Sequence, residues 1–248
     1  DDEQLQLVDV SGDLIQAYSN PLYEDLLIEV PVFEEEVNEW TDLIIDTTIV
    51  TGNSSNTEFK IKASNTFLTV DLGDGSDIIY MGKTGNGQFI TFNYATAGVY
   101  NFRLKGNGDI TFQGTNADGK KITEVKNFGS NLFLGINTFK DCRNAVFTAT
   151  DKINLENGSN AFYNCYLLEK LKEPTNIEFG NISYWFRNSV LNDNLGGWDI
   201  RAVNNLTEFA LNDTTWSTEN YGNTLMGWLR WDSTTHAPAV GWVLPNNI

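Results

Sequence analysis

Few side chains in this sequence are of the types that carry out nucleophilic catalysis. The chain of 248 residues has one histidine, His236, and two cysteines, Cys142 and Cys165. A serine–histidine or cysteine–histidine site would have to use that one histidine, which lies in the loop-like stretch TTHAP. No activated-nucleophile motif such as G-x-S-x-G is present. The sequence therefore disfavours a hydrolase of this kind.

Carboxylates are the second candidate chemistry, because the chain has 33 aspartates and glutamates. A glycoside hydrolase needs two carboxyl groups on either side of the scissile bond. The pairs Glu208 with Asp213 and Asp193 with Asp199 can be named only by enumeration, since no local motif marks them. We therefore expect a protein that is not an enzyme.

Three aspartates, Asp71, Asp74 and Asp77, lie in the glycine-containing stretch VDLGDGSD. Carboxylates spaced along such a loop could supply oxygen ligands to calcium, but their spacing is not that of an EF-hand. In a G-D-G turn the aspartate more often binds its own backbone, while Gly75 supplies a positive φ. The pattern favours a structural turn without a cofactor, with a calcium site as the weaker alternative.

Charge is distributed unevenly along the chain, whose net charge is −17. Residues 1–56 contain 14 acidic residues and no Lys or Arg, whereas the rest holds 19 acidic and 16 basic residues. An acidic chain repels phosphate, so we expect no nucleic-acid partner. No apolar run is long enough to predict a transmembrane segment.

Residues 1–56 are predicted to be an acidic N-terminal attachment segment that becomes ordered on other virion or envelope proteins. Its acidic run Glu34, Glu35 and Glu36 supplies the candidate docking residues. A solvated layer of N-terminal strands is the alternative, and TGNSSNT at 51–57 is the candidate linker.

Residues 57–118 alternate in the manner of half-buried strands, as in FKIKA, where Phe59, Ile61 and Ala63 share one face. Turn sequences such as GDGS and KTGNG separate the strands, which predicts a small antiparallel β-sandwich. The stretches VDLGDGSDIIY and FNYATAGVYNFRLKG resemble the polycystic-kidney-disease (PKD) type of immunoglobulin-like domain, with Leu72 where the family often has Trp. That resemblance implies a spacer or interaction module.

One aromatic recurs at steps of 23, 24 and 23 residues, at Phe139, Phe162, Phe186 and Phe209. Self-similarity at this period is typical of a leucine-rich-repeat solenoid, in which equivalent residues of successive coils form buried ladders. We therefore predict that the four phenylalanines form the core ladder of a solenoid over residues 119–230.

The stretch LNDNLGGWDIRAVNNLTEF, residues 191–209, resembles the BspA-like leucine-rich repeats of bacterial surface proteins and phage structural proteins. The residues that match the repeat pattern are Leu195, Trp198, Asp199, Val203, Asn205, Leu206 and Phe209. A PKD-like domain that leads directly into such repeats is similar to arrangements in that family. The resemblance implies assembly and recognition as the function.

The two cysteines and the late tryptophans leave alternatives open. Cys142 and Cys165 have the same phase in adjacent coils, so a disulfide is sterically allowed, although reduced, buried thiols are favoured. Trp228, Trp231 and Trp242 either cap the solenoid or form a contact surface, and residues 231–248 are predicted to be a C-terminal cap or tail.

The predicted fold is therefore mainly β: an acidic N-terminal arm, a small antiparallel β-sandwich and a short leucine-rich-repeat solenoid. The predicted function is that of a surface-exposed structural or recognition protein within a larger assembly. A phage virion component, such as a fibre, decoration or receptor-binding protein, is preferred, with a glycan or protein as receptor. A bacterial cell-surface adhesin or lipoprotein is the alternative.

Overall fold

The computed structural model describes residues 5–8, 14–18, 39–106, 109–130, 133–155, 158–172, 181–198, 200, 203–212 and 215–228. The chain divides into two compact units, Asp1–Val37 and Asn38–Ile248. In the first unit, β1 (Leu5–Val8) pairs in antiparallel fashion with β2 (Leu14–Tyr18). The predicted docking residues Glu34, Glu35 and Glu36 lie outside the described residues.

The second unit is built mainly from short strands, which confirms the predicted mainly β class. Its single described α-helix, α1 (Thr218–Trp228), begins after Ser217, whose hydroxyl accepts a hydrogen bond from the Asn220 backbone at 3.1 Å. The strands are β3 (Thr41–Asp46), β4 (Glu58–Ser64), β5 (Leu68–Asp71), β6 (Ile79–Met81), β7 (Gln88–Asn93), β8 (Val99–Gly106), β9 (Asp109–Thr111), β10 (Ile122–Asn127), β11 (Phe133–Leu134), β12 (Val146–Phe147) and β13 (Asn154–Leu155).

These strands form two sheets. The six-stranded sheet has the order β12-β10-β3-β8-β5-β6, and the five-stranded sheet has the order β13-β11-β9-β4-β7. Pairing is antiparallel among the earlier strands and parallel where β11, β12 and β13 add to the edges. Each sheet therefore extends by parallel addition as the chain proceeds.

The core lies between the buried faces of the two sheets. In β4 the residues Phe59, Ile61 and Ala63 are buried, as the period-2 pattern predicts. The ring of Phe102 in β8 lies 5.0 Å from that of Phe59 and 5.3 Å from that of Phe92 in β7. Edge-on and tilted aromatic contacts of this kind join one sheet to the other.

The predicted boundary at residue 56 is wrong. Strand β3 lies inside the predicted attachment segment, yet it is hydrogen-bonded between β8 and β10 in the six-stranded sheet. Its burial alternates, with Thr41, Leu43 and Ile45 facing the core. Acidic residues at the solvent-facing positions make the local sequence strongly negative. For this reason the charge pattern did not indicate a half-buried strand here.

The predicted linker at 51–57 is held by a buried polar network. The carboxylate of buried Asp118 accepts hydrogen bonds from the hydroxyls of Thr51 and Ser54 and from the Lys60 backbone. The ammonium of buried Lys121 donates to the Ser54 hydroxyl at 2.8 Å and to the carbonyls of Ser55 and Glu58, both at 2.6 Å. Burial lowers the pKa of Lys121. This network spans the predicted domain boundary between residues 118 and 119.

Four turn segments follow β10, which we call the stacked turns: residues 135–145, 158–168, 182–191 and 206–212. Backbone hydrogen bonds join each turn to the next. The Phe139 amide donates to the Ala161 carbonyl at 2.8 Å, the Asn160 amide to Ser183 at 2.9 Å and the Phe186 amide to Phe209 at 2.7 Å. Each turn thus satisfies backbone groups of the preceding one.

A stack of phenylalanine rings runs through these turns. The ring of Phe139 lies 5.7 Å from that of Phe162, and the ring of Phe162 lies 6.1 Å from that of Phe186, with interplanar angles of 7° and 11°. The stack begins one member earlier than the sequence predicts, because Phe112 stacks on Phe139 at 5.2 Å. All four rings are buried.

Phe209 does not continue the stack in parallel. Its ring is perpendicular to that of Phe186, at an interplanar angle of 84°. The main chain explains this, because Asn205 forms a bridge with Asn181, and the positive-φ residues Glu208 and Asn212 repeat Tyr184 and Asn188. The structural step into the fourth turn is therefore 24 residues, whereas Phe209 follows Phe186 by 23.

The consequence is a one-residue correction to the predicted phase. By the 24-residue step, Ala210 is the equivalent of Phe186, and Phe209 is the equivalent of Trp185. Asn212 follows Phe209 by three residues, as Cys142 follows Phe139 and Cys165 follows Phe162, yet it is the structural equivalent of Asn188. Phe209 stays in the core from the neighbouring position, with its ring turned edge-on.

A ladder of polar side chains accompanies the rings, which we call the asparagine ladder: Asp141, Asn164, Asn188 and Asn212. The side-chain amide of Asn164 donates to Asp141 at 2.6 Å, that of Asn188 to Asn164 at 2.8 Å and that of Asn212 to Asn188 at 3.0 Å. All four residues have φ between 59° and 64°. Asparagine and aspartate tolerate this left-handed region better than most residues do.

Candidate functional site

The aspartates considered for calcium lie in and beside the turn that follows β5. Asp71 accepts a hydrogen bond from the Gly73 amide at 2.8 Å and pairs with Arg103, and Asp74 accepts one from the Ser76 amide at 2.9 Å. The hydrogen bond with the Arg103 guanidinium is the main cause of the lowered pKa of Asp71. Two of the three carboxylates thus have partners within the protein, and Asp77 is exposed.

Among the described residues, no group of three histidine, cysteine, aspartate or glutamate side chains is placed to hold a metal ion. Gly73 is required in this turn, because its φ is 72° and an added Cβ would lie 2.3 Å from the Asn101 carbonyl oxygen. Such a contact is far below van der Waals distance.

The two cysteines are buried and reduced in adjacent stacked turns. The thiol of Cys165 donates to the Phe139 carbonyl at 3.1 Å, and the Cys142 thiol lies 3.8 Å from the Phe112 carbonyl oxygen. Burial raises the pKa of both thiols well above the ordinary value. Because the thiolate is the reactive form, these cysteines are chemically inert packing residues.

Trp228 covers the end of the ring stack. Its indole lies 6.0 Å from the ring of Phe209, and its Nε1 donates to the Leu195 carbonyl at 2.8 Å. Trp231 and Trp242, the other tryptophans predicted as cap or contact, lie outside the described residues. In the part of the chain that the structure describes, no helix is long and apolar enough to cross a membrane.

The enumerated carboxylate pairs are not brought together as a described site. Glu208 forms an ion pair with Arg187. Asp193 accepts a hydrogen bond from the Asn194 amide at 2.9 Å. Their proposed partners Asp213 and Asp199 lie outside the described residues.

A surface that the sequence analysis did not single out joins four stacked turns. We call it the tyrosine–arginine strip: Lys140, Tyr163, Tyr184, Arg187 and Glu208. The Lys140 ammonium lies 5.2 Å from the centre of the Tyr163 ring, and the Arg187 guanidinium lies 5.5 Å from that of Tyr163 and 5.8 Å from that of Tyr184. Glu208 completes the strip through its ion pair with Arg187.

The stacked phenylalanines explain why these side chains align. Lys140, Tyr163 and Arg187 each follow directly after a ring of the stack. The phenylalanines are buried, whereas the residues that follow them are partly exposed, so the strip repeats the spacing of the stack on the surface. Tyr184 and Glu208 occupy the equivalent positive-φ positions of the third and fourth turns.

A second cation–aromatic pair lies in the first two stacked turns. The Arg143 guanidinium lies 5.4 Å from the Tyr166 ring and 3.1 Å from the Asp141 carboxylate. Tyr166 is 40% exposed, and its neighbour Leu167 is 44% exposed. The same turns thus present aromatic, cationic and apolar groups.

The chemistry of the strip suits binding. An arginine guanidinium is permanently charged and has only donors, so it holds an acceptor in a fixed geometry. Each exposed cation–π contact contributes about 0.5–1 kcal/mol, which restricts the rotamers of both side chains before a partner arrives.

The signal for Lys140, Tyr163 and Arg187 was present in the sequence, because each follows one of the first three repeated phenylalanines. The signal for the asparagine ladder was the recurrence of Asp or Asn at 141, 164, 188 and 212. To recognise either feature, the fourth turn must be aligned correctly with the third. The phenylalanine spacing alone shifts that alignment by one residue. Comparison with protein-family models, with curated proteins and with solved structures finds no match.

Proposed function

We propose that this chain is a non-enzymatic recognition and assembly protein on the surface of a virion. In this proposal the two sheets form a PKD-like β-sandwich, and the stacked turns form a short BspA-like leucine-rich-repeat solenoid. The single observation that supports recognition best is the tyrosine–arginine strip. Tyrosine and arginine are among the side chains that contribute most often to the binding energy of protein interfaces.

The strip is suited to a protein receptor for two physical reasons. Its side chains are held by contacts with one another, so less conformational entropy is lost when a partner binds. It also presents the ammonium of Lys140 beside the ion pair of Arg187 and Glu208, so it offers both charged donors and a charged acceptor to a polar receptor surface. The acidic residues of the first unit are proposed to attach the chain to the particle.

The location is tested by separating the native source on a density gradient and following the chain by peptide mass spectrometry. We expect it to co-migrate at fixed stoichiometry with a DNA-filled particle. Recovery with the cell envelope and not with particles would overturn the virion location and support a bacterial surface adhesin.

The strip is tested by measuring the binding of the purified, labelled chain to host cells. The double variant Tyr163→Ala/Arg187→Ala should bind at least about tenfold more weakly, since losses of this size are typical of central interface residues. The control Lys170→Ala/Lys172→Ala changes two exposed residues outside the strip and should bind as the parent does. Equal binding by both double variants, with both folded, would exclude the strip as the receptor contact.

A further inference from the structure

A cleft lies where the first stacked turn meets the five-stranded sheet. Its volume is about 430 Å³, within the range of small-molecule sites. Strands β4 and β9 form its floor, and residues 135–137 of the first stacked turn form one wall. The cleft and the tyrosine–arginine strip have no residue in common.

The strand register fixes the chemistry of the floor. Lys62 lies opposite Thr111 and Ser64 lies opposite Asp109 in the antiparallel pair of β4 and β9. The alternate residues Ile61, Ala63 and Ile110 are buried in the core. Directly opposed side chains lie about 5 Å apart, so the four polar groups form a compact set on the other face of the sheet. They are Lys62, Ser64, Asp109 and Thr111.

Two of the four polar groups are engaged within the protein, and two are available. The Ser64 hydroxyl accepts from the Gly87 amide at 2.8 Å, and the Thr111 hydroxyl donates to the Asn137 carbonyl at 2.7 Å. The Lys62 ammonium and the Asp109 carboxylate make no hydrogen bond or ion pair with any other residue that the structure describes. The cleft thus offers one charged donor and one charged acceptor, on a floor held in place by the other two residues.

Apolar surface accompanies these charges. Phe89 lies directly opposite Lys62 in β7, is 48% exposed and has its ring centre 6.0 Å from the Lys62 ammonium. Ile136, in the wall of the cleft, is 53% exposed. A ligand in the cleft therefore meets hydrogen-bonding groups together with the exposed side chain of Ile136, and the Phe89 ring lies beside Lys62, outside the residues that line the cleft.

We propose that this cleft binds one ring of a neutral saccharide. A sugar ring carries hydroxyls that donate to the Asp109 carboxylate and accept from the Lys62 ammonium, and its C–H faces pack on apolar side chains. A purely apolar ligand would leave both charges desolvated without partners, which costs several kcal/mol. A phosphate-rich ligand would meet the Asp109 carboxylate within an acidic protein.

The test is titration of the full-length, isotope-labelled chain with methyl glycosides of glucose, galactose, mannose and N-acetylglucosamine, followed by amide NMR shifts. We expect saturable shifts with at least one glycoside, centred on residues 62–64, 109–111 and 135–137. Asp109→Asn should weaken that binding at least about tenfold, because the charged acceptor is replaced by a neutral amide with one acceptor oxygen. Asp77→Asn, at an exposed aspartate outside the cleft, is the matched control.

Several outcomes would overturn the proposal. They are a failure of all four glycosides to give saturable shifts, shifts centred on the strip, equal shifts with glycerol, or unchanged affinity in Asp109→Asn. If Asp109→Asn loses the dispersed spectrum of the folded protein, Lys62→Met replaces it, with the same tenfold weakening expected. Because the receptor-binding test above scores variants of the strip, failure of one proposal is distinguishable from failure of the other.

Discussion

The two-sheet region, residues 39–130, and the stacked turns use different residue types at the positions where the backbone has a positive φ. In the described part of the chain, the positive-φ glycines are Gly52, Gly73, Gly75, Gly87 and Gly129, all in the two-sheet region. Eight of the nine non-glycine residues with positive φ lie in the stacked turns, and the ninth is Asn65. Left-handed backbone is thus a matter of single turns in one region and a repeated feature in the other.

The side chains explain this difference. Glycine adopts a positive φ without strain but offers nothing to a neighbour. Asn164 and Asn188 adopt the same backbone and also hydrogen-bond to the turns on either side. A residue in the stacked turns has an equivalent residue at a fixed distance in the next turn. A side chain that hydrogen-bonds to that equivalent residue can therefore recur in every turn. A turn between two antiparallel strands has no such neighbour.

The largest expected effect tests whether the ring stack is the core of the stacked turns. Phe162→Ala removes a fully buried ring that contacts Phe139 and Phe186 on its two sides. We expect a loss of about 3–5 kcal/mol in the free energy of unfolding, measured by urea denaturation. Phe209→Ala, at the perpendicular end of the stack, should cost less. Equal losses would show that the parallel stacking has no special role.

The next effect concerns the buried polar network of the two-sheet region. Lys121→Met keeps the aliphatic stem but leaves the Ser55 and Glu58 carbonyls without their donor. We expect a loss of about 3 kcal/mol, because the buried Asp118 carboxylate would lose the nearby cation and two partly buried acceptors would lose a charged donor. Lys120→Met changes the neighbouring, partly exposed lysine and should stay within about 0.5 kcal/mol of the parent. If Lys121→Met left the free energy of unfolding unchanged, the network would not contribute to stability.

A smaller effect separates backbone from side chain in the asparagine ladder. Asn188→Gly retains the left-handed backbone but removes two ladder hydrogen bonds, which should cost about 1–2 kcal/mol. Asn188→Ala adds backbone strain and should cost about 1 kcal/mol more.

Gly75 provides the matching position in the two-sheet region, since an added Cβ would meet nothing within 4 Å. Asparagine tolerates a positive φ better than most residues do, so Gly75→Asn should be close to neutral in the same urea denaturation assay. If Asn188→Gly were also neutral, the ladder would be a consequence of the turns and not a source of their stability.

Strands β3 and β4 show which parts of the fold could be predicted from the sequence. Period-2 alternation identified β4 because Phe59, Ile61 and Ala63 reveal a buried face within five residues. The alternation of β3 is equally clear, yet a window average of charge assigned it to a separate segment. Its strand partners β8 and β10 lie more than 50 residues away, so no local signal reports the pairing.

The repeat was found because aromatic size is conspicuous, and three of the four predicted rings stack in parallel. The one-residue phase difference at Phe209 is not visible in the sequence, because a ring at the adjacent position can enter the same core. Main-chain phase is set by the left-handed residues, and these differ in type, as Tyr184 and Glu208 show. The strip and the cleft depend on neighbours across turns and strands, which spacing along the chain does not specify.

The smallest effect is acid sensitivity in the two-sheet region. The pKa values of Asp71, Asp74 and Glu58 are lowered, chiefly by hydrogen bonds with Arg103, Ser76 and the Ser55 amide respectively. A carboxyl whose pKa is lower in the folded state than in the unfolded chain stabilises the fold. The full stabilisation is present at pH values above the unfolded-state pKa, which is about 4. That stability is lost as the pH falls through the folded value, so unfolding should become easier below about pH 4.

Arg103→Met isolates one part of this dependence. At pH 7 the variant should lose no more than about 1 kcal/mol, because the ion pair with Asp71 is partly exposed. The difference from the parent should shrink as the pH falls and Asp71 becomes protonated, because a neutral carboxyl no longer forms an ion pair with the guanidinium. A difference that persists at low pH would instead assign the role of Arg103 to its packing on Trp40, whose ring centre lies 5.1 Å away.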